Sequence, residues 1–209
     1  MERPVLFDID GTLVDSTEAV TTVWREAALR HGVDADAILR VCHGRRDEDV
    51  VPEFFPDESV ATVVGQIAEL ELGCADLVEP IPGAVGVLDR LDGRRWAAVT
   101  SGSRSLMTAR LQGAGLPVPA ILVAAEDVSV GKPDPEGYLL AARRLGVDVL
   151  SCVVVEDSPA GVAAGRAAGA FVVGLVSTHH PDALADADVV IEQLAALPEL
   201  LKKLPSQQW

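Results

Sequence analysis

Val5-Leu6-Phe7-Asp8-Ile9-Asp10-Gly11-Thr12 decides how this chain folds. Its first three residues form a short apolar, β-prone run, the pattern of a strand buried on both faces of a parallel sheet. The run breaks without a spacer into two aspartates, a glycine and a threonine. An α/β sheet builds its ligand sites at the carboxyl edge of its strands, so Asp8 and Asp10 are read as site residues.

Immediately downstream, Asp15-Ser16-Thr17 can cap a helix that runs to about His31 and stops at Gly32, with Leu13, Val20, Trp24 and Leu29 on one side. Residues 34–78 show no β-α-β rhythm. Short helices are expected near 34–41, 45–51, 57–72 and 74–78, interrupted by Pro52 and Pro56. Pro80-Ile81-Pro82-Gly83 then reads as a hinge or return connection.

Beyond it the α/β rhythm resumes. Strands are expected at 96–99, 121–123, 152–155, 171–173 and 189–191, and helices at 84–92 (closed by Gly93), 103–113, 134–145 (closed by Gly146) and from Ser158-Pro159 onward. The tail 201–209 has little periodicity and is expected to fray. Gly161, Gly165 and Gly169 read as a small-residue helix face that lets a sheet approach closely; neither the G-x-G-x-x-G spacing nor a P-loop is present. The fold class is therefore α/β, a parallel-sheet core over residues 1–15 and 80–209 with a small all-helical unit, 16–79, inserted after the first strand.

Composition bounds the partners. The chain has 209 residues, 17 basic and 32 acidic, for a net charge of −15. Such a chain is repelled by nucleic acid and anionic membranes, so neither is an expected partner. An anionic ligand must be received by local cations or a metal. Cys42, Cys74 and Cys152 are too scattered for a disulfide scaffold or a zinc knuckle. The start Met-Glu-Arg-Pro carries no apolar leader, so a cytoplasmic location is expected.

Polar residues gather at the ends of, or just after, four strands: Asp8 and Asp10, Thr100 and Ser101, Lys132, and Glu156 with Asp157. In a parallel sheet these ends share one edge. Four acids there repel one another unless a cation sits among them, and oxygen donors suit a hard ion such as Mg²⁺. A lysine and hydroxyls among the acids suit a held oxyanion, which fits phosphoryl transfer better than sugar cleavage.

Four stretches in order resemble the signatures of the haloacid dehalogenase superfamily of phosphohydrolases: residues 8–16, Val99-Thr100-Ser101-Gly102-Ser103, Gly131-Lys132-Pro133-Asp134-Pro135, and Val155-Glu156-Asp157-Ser158-Pro159-Ala160-Gly161. The resemblance implies a Rossmann-like core whose helical insertion is a small cap, as in phosphoglycolate phosphatases and β-phosphoglucomutases. It implies that Asp8 is the nucleophile, giving an aspartyl-phosphate, and Asp10 the general acid and base. Thr100 and the Ser101 backbone, beside Gly102, would bind the phosphoryl group and Lys132 would offset its charge. Asp8, the Asp10 carbonyl and Asp157 would hold Mg²⁺, supported by Glu156.

An acid at position 10 sets the chain apart from halide-removing members of that superfamily. Val20 stands where β-phosphoglucomutases carry a cap histidine, which favours hydrolysis over isomerisation. His43-Gly44-Arg45-Arg46 is similar to phosphatases of 2-deoxyglucose 6-phosphate and related hexose phosphates, with glycerol 3-phosphate phosphatases nearby, so His43, Arg45 and Arg46 are the candidate cap residues for substrate. Trp24 is expected in the cap core rather than in the pocket. The expected function is a Mg²⁺-dependent phosphatase of a small sugar or polyol phosphate, monomeric or weakly dimeric. The alternatives are a phosphoglycolate phosphatase, a β-phosphoglucomutase-like isomerase, and a degenerate binding module without activity.

Overall fold

The computed structural model describes residues 3–91 and 96–204. Strand β1 (Val5–Phe7) is wholly buried and ends in a tight turn, Leu13 and Val14 both donating backbone N–H to the Ile9 carbonyl. β2 (Val14–Asp15) pairs antiparallel with β3 (Glu79–Pro80), Val14 opposite Pro80 and Asp15 opposite Glu79. This ribbon is the return connection, and both crossings between core and insertion run through it.

Between the two short strands lie α1 (Thr17–His31), α2 (Ala35–Leu39), α3 (Asp47–Phe54) and α4 (Val60–Gly73). They bury Val23, Trp24, Ile38, Val50, Phe55, Val63 and Ile67 in a cluster of their own, a helical insertion with the form of a cap. Gly32 ends α1 in the left-handed region at φ 69°.

The chain then runs through α5 (Ala84–Arg90), β4 (Trp96–Val99), α6 (Arg104–Gly113), β5 (Leu122–Val123), α7 (Glu136–Leu145), β6 (Val153–Glu156), α8 (Pro159–Ala168), β7 (Phe171–Leu175), β8 (Val189–Ile191) and α9 (Leu197–Lys203). The six long-range strands form one parallel sheet in the order β5-β4-β1-β6-β7-β8. Side chains alternate between two cores: Val5, Phe7, Val153 and Val155 face one, Leu6, Val99 and Val154 the other. Burial on both faces explains why these strands read as unbroken apolar runs. Among the described residues, no helix is long and apolar enough to cross a membrane.

Several local expectations need correction. Leu29 is 78% exposed; the buried stripe of α1 is Ala19, Val23, Trp24, Ala27 and Ala28, one helical step away from it. Pro52 lies inside α3 rather than ending it, because burial of Val50 and Val51 outweighs the one lost hydrogen bond. Residues 74–78 form turns, not a helix. Gly169 is a left-handed helix stop at φ 85°, whereas Gly165 does admit the sheet, a Cβ there standing 2.9 Å from Val154 and Val172. The expected Gly93 stop, and the tail beyond Leu204, lie outside the described residues.

Candidate active site

The register places the site. Phe7 lies opposite Ala98 of β4 and Val155 of β6, so the chain leaves β1 between the ends of both neighbours. Asp8 stays on the sheet for one more bond, its N–H donating to the Val155 carbonyl at 3.0 Å. Asp8, Glu156 and Asp157 thereby converge, with a carboxylate oxygen of each within 4.8 Å of the others. All three are buried.

Lys132, from the loop before α7, enters between them. Its Nζ lies 2.5 Å from Asp8 Oδ1 and 2.5 Å from Glu156 Oε1, and donates to the Val99 carbonyl at 3.3 Å. One ammonium cannot balance three buried carboxylates. Burial, with Glu156 and Asp157 adding to it against the pull of Lys132, holds the Asp8 carboxyl well above its usual range. Burial and Glu156 push Asp157 up to about 7. Burial opposes the charge on Lys132, but Asp8 and Glu156 together raise its pKa.

Glu156 is satisfied already. Oε1 meets Lys132 and accepts from the Tyr138 hydroxyl at 2.6 Å, while Oε2 accepts from the Ser158 hydroxyl at 3.1 Å and the Asp157 N–H at 3.2 Å. Gly161 makes room for it, since any Cβ there would overlap this carboxylate. Asp157 is held by Thr12 Oγ1 at 3.2 Å and by the Thr178 hydroxyl. Three buried oxygen donors with a residual negative charge fit a hard divalent cation.

Around this centre a cavity of about 280 Å³ opens between core and insertion, near the small end of the roughly 300–1,000 Å³ range of ligand sites. Asp8, Asp10, Thr100, Ser101 and Gly102 line its floor; Val20, Trp24, His43, Arg45, Arg46, Asp47, Glu48 and Glu71 line the opposite wall. Trp24 thus serves both cap core and cavity. Ser101 Oγ donates to the Gly44 carbonyl at 2.9 Å, so the insertion is closed onto the core. Thr100 is buried at the end of β4, and its hydroxyl accepts from the Gly102 N–H at 3.1 Å.

The two cap arginines reach the wall of the cavity but are paired within the cap. Arg45 binds Glu53 at 2.6 Å, and Arg46 forms a two-pronged pair with Asp49 at 2.9 and 3.1 Å. His43 meets the ring of His179 edge-on at 6.0 Å, and burial, then His179, hold its pKa below the usual imidazole range.

Four participants escape a sequence reading. His179 and Thr178 follow β7, a fifth strand end whose polar residues carry no recognisable motif. Tyr138 looks like one more core residue of α7. Arg110 is 2% exposed on α6, and its Nη1 donates to Asp10 Oδ2 at 2.7 Å. The available signal was a charge inside the apolar stripe Leu106, Met107, Leu111.

A parallel sheet with a helical insertion and a lysine-bridged acidic edge defines a hydrolase class, and the comparisons name it. A family model described as haloacid dehalogenase-like hydrolase matches residues 3–169. Hexitol phosphatase A of Escherichia coli (strain K12) is 42% identical over 194 residues, covering 90% of each chain. Validoxylamine A 7'-phosphate phosphatase of Streptomyces hygroscopicus subsp. limoneus is 38% identical over 205 residues, covering 93% of this chain and 95% of that one. A crystal structure of a hydrolase from Pseudomonas syringae superposes with a TM-score of 0.88 at 28% identity, covering 98% of this chain and 100% of that one. The chain belongs to the haloacid dehalogenase-like hydrolases. Its fold and its clustered acids are those of a phosphatase of that family.

Proposed function

We propose that this enzyme is a Mg²⁺-dependent phosphomonoesterase for a small neutral sugar or polyol phosphate, working through an aspartyl-phosphate on Asp8. The observation that carries the reading is Lys132 Nζ lying 2.5 Å from both Asp8 and Glu156, with Asp8 and Asp10 both lining the floor of the cavity. A lysine there restrains the nucleophile and offsets charge on an incoming phosphoryl group.

In the first half-reaction an Asp8 oxygen attacks phosphorus, the bond from phosphorus to the ester oxygen breaks, and Asp10 gives that oxygen a proton. In the second, Asp10 takes a proton from water as the water oxygen attacks the acyl phosphate, returning Asp8 as carboxylate and releasing phosphate. The Thr100 hydroxyl and the backbone at Ser101 and Gly102 hold the phosphoryl oxygens. Asp8 and Asp157, with Glu156 behind them and the Asp10 carbonyl, would hold Mg²⁺, which when bound supplies charge neutralisation for the attack. Closure of the cap keeps bulk water out.

Hexitol phosphatase A, 42% identical to this chain, is the precedent for polyol selectivity, and the cavity wall suits it. Asp47, Glu48 and Glu71 offer hydroxyl partners; burial and the neighbouring acids already push Asp47 up to about 7 and Glu71 to about 8, so a second anionic group would enter a wall crowded with acids, while Arg45 and Arg46 already have carboxylate partners. His43 lines the same wall as a further hydroxyl partner. Val20 faces the cavity and carries no proton, which disfavours the mutase alternative. A cytoplasmic location and a monomeric or weakly dimeric state belong to the same reading, and the net charge of −15 argues against nucleic-acid and membrane partners.

The test is Asp8→Asn. Quenched reactions of the native enzyme with a labelled substrate should yield a phosphoenzyme, and the variant should yield none and release no phosphate. Near-normal turnover by Asp8→Asn would refute the mechanism.

A further inference from the structure

Arg110 is out of place by the rules that built the core. It stands on the buried face of α6 beside Leu106, Met107 and Leu111, where an apolar side chain would pack without the cost of desolvating a charge. Its contacts show what the charge is for. Nη1 donates to Asp10 Oδ2 at 2.7 Å, and Nη2 lies 3.4 Å from Glu71 Oε1 on α4 of the insertion. The other Asp10 oxygen, Oδ1, is buried and has no partner among the described residues.

One guanidinium thus fixes one oxygen of Asp10 and leaves the other for a proton. Its remaining Nη reaches the cap, so the same side chain makes contact on both sides of the cavity. Nη1 is thus committed to Asp10 and Nη2 to Glu71.

Resting on the phosphatase reading above, we propose that Arg110 is the positioning residue for Asp10, tying its orientation through Glu71 to the closed cap, so that proton delivery to the leaving group is set only when the cap is shut. Arg110 touches no reacting atom in this role. It acts through Asp10, and its loss is felt where the leaving group needs a proton.

That dependence separates positioning from mere structural support. A nitrophenolate departs without protonation, whereas an alkoxide does not, so kcat/KM for nitrophenyl phosphate reports nucleophilic attack, and kcat/KM for glycerol 3-phosphate or a hexitol 6-phosphate reports attack plus proton delivery. Arg110→Met is expected to lower the alkyl value by roughly 10–100-fold and the aryl value by less than about threefold, short of the roughly 10²–10⁴ that loss of a whole acid/base group costs. Arg110→Lys should recover part of the alkyl activity. Arg110→Met combined with Asp10→Asn should be little worse than Asp10→Asn alone, since the two act as one unit.

If Arg110→Met fails to fold, Glu71→Gln tests the same claim. It leaves the Arg110 to Asp10 bond in place and, because Glu71 also lines the substrate wall, is read on propyl phosphate, which has no free hydroxyl for Glu71 to accept from: kcat/KM there should fall roughly 3–10-fold, against less than about threefold for the aryl ester. Equal losses on both esters in the folded variants would overturn the inference, for Arg110 would then serve packing or hold the phosphate itself. A native enzyme that splits neither ester would overturn the phosphatase reading and this inference with it, which distinguishes the two failures.

Discussion

Gly44 of the insertion lies directly against Ser158 of the core: a Cβ at Gly44 would overlap the Ser158 hydroxyl and crowd its Cβ. Ser158 cannot swing away, because its hydroxyl caps α8 through the Gly161 N–H at 3.1 Å and donates to Glu156 at 3.1 Å. Gly44 also has φ 77°, in the left-handed region. Gly44→Ala should therefore hold the cap ajar. The backbone strain is roughly 1–2 kcal/mol, a melting shift of a few degrees at this chain length. The kcat/KM for an alkyl phosphate should fall about tenfold or more while the protein stays folded, because the clash arises only in the closed form. Unaltered kinetics in a folded variant would show that the contact at Gly44 is dispensable for closure.

Metal dependence follows from three carboxylates meeting one lysine. Chelation should abolish turnover of nitrophenyl phosphate and added Mg²⁺ should restore it; Ca²⁺ should support catalysis poorly, because its looser coordination suits in-line displacement less well. Full activity after metal stripping would contradict the reading of Asp8 and Asp157, with Glu156 behind them, as the cation's holders.

The same charge imbalance makes the metal-free protein's stability depend on pH. Asp157 sits at about 7 in the folded chain, raised by burial and Glu156, against about 3.9 when unfolded. The native state thus holds a proton that the unfolded chain has lost, and stability falls as pH rises between about 4 and 7. Asp8, shifted the same way, adds to the trend. Melting temperatures of stripped protein should decline across that window, and Mg²⁺ should raise the melting temperature more at pH 8 than at pH 5, by offsetting the charges. A stripped protein that gains stability across the window would count against a folded site of this kind.

Selectivity should follow the acidic wall. In competition, hexitol or glycerol phosphates should exceed phosphoglycolate by about tenfold or more in kcat/KM, an effect of the size expected from one unfavourable buried charge. Glu48→Lys, which places a cation at the cavity wall, should narrow that preference mainly by improving phosphoglycolate. Arg45→Ala and Arg46→Ala should be milder than a free-arginine reading suggests, since each already pairs with a cap carboxylate. Phosphoglycolate winning tenfold in the native enzyme would reverse the assignment of the wall.

The parallel sheet, the helical insertion and the residues at four strand ends were legible in the sequence, because each rests on short-range physics. Val5-Leu6-Phe7 and the run at β6 are too apolar to lie anywhere but between two layers of helix. Ser103, Ser158, Gly32 and Gly146 punctuate their helices through caps and turns within three or four residues. Asp8, Lys132, Glu156 and Asp157 share a site once the strands are parallel, since parallel strands end on one edge.

Tertiary structure alone decided the rest. Arg110 and Asp10 are 100 positions apart, and nothing local in α6 says which acid its guanidinium will meet. Arg45 and Arg46 advertise free positive charge in the sequence, yet Glu53 and Asp49 neutralise them once α3 winds. The fit of Gly44 against Ser158 and the approach of His43 to His179 depend on how the insertion lies over the core, which the antiparallel β2–β3 ribbon and many weak contacts set together. Local patterns specify elements and their ends; charge partners across 100 residues are specified only by packing, where the burial of one side chain depends on all its neighbours at once.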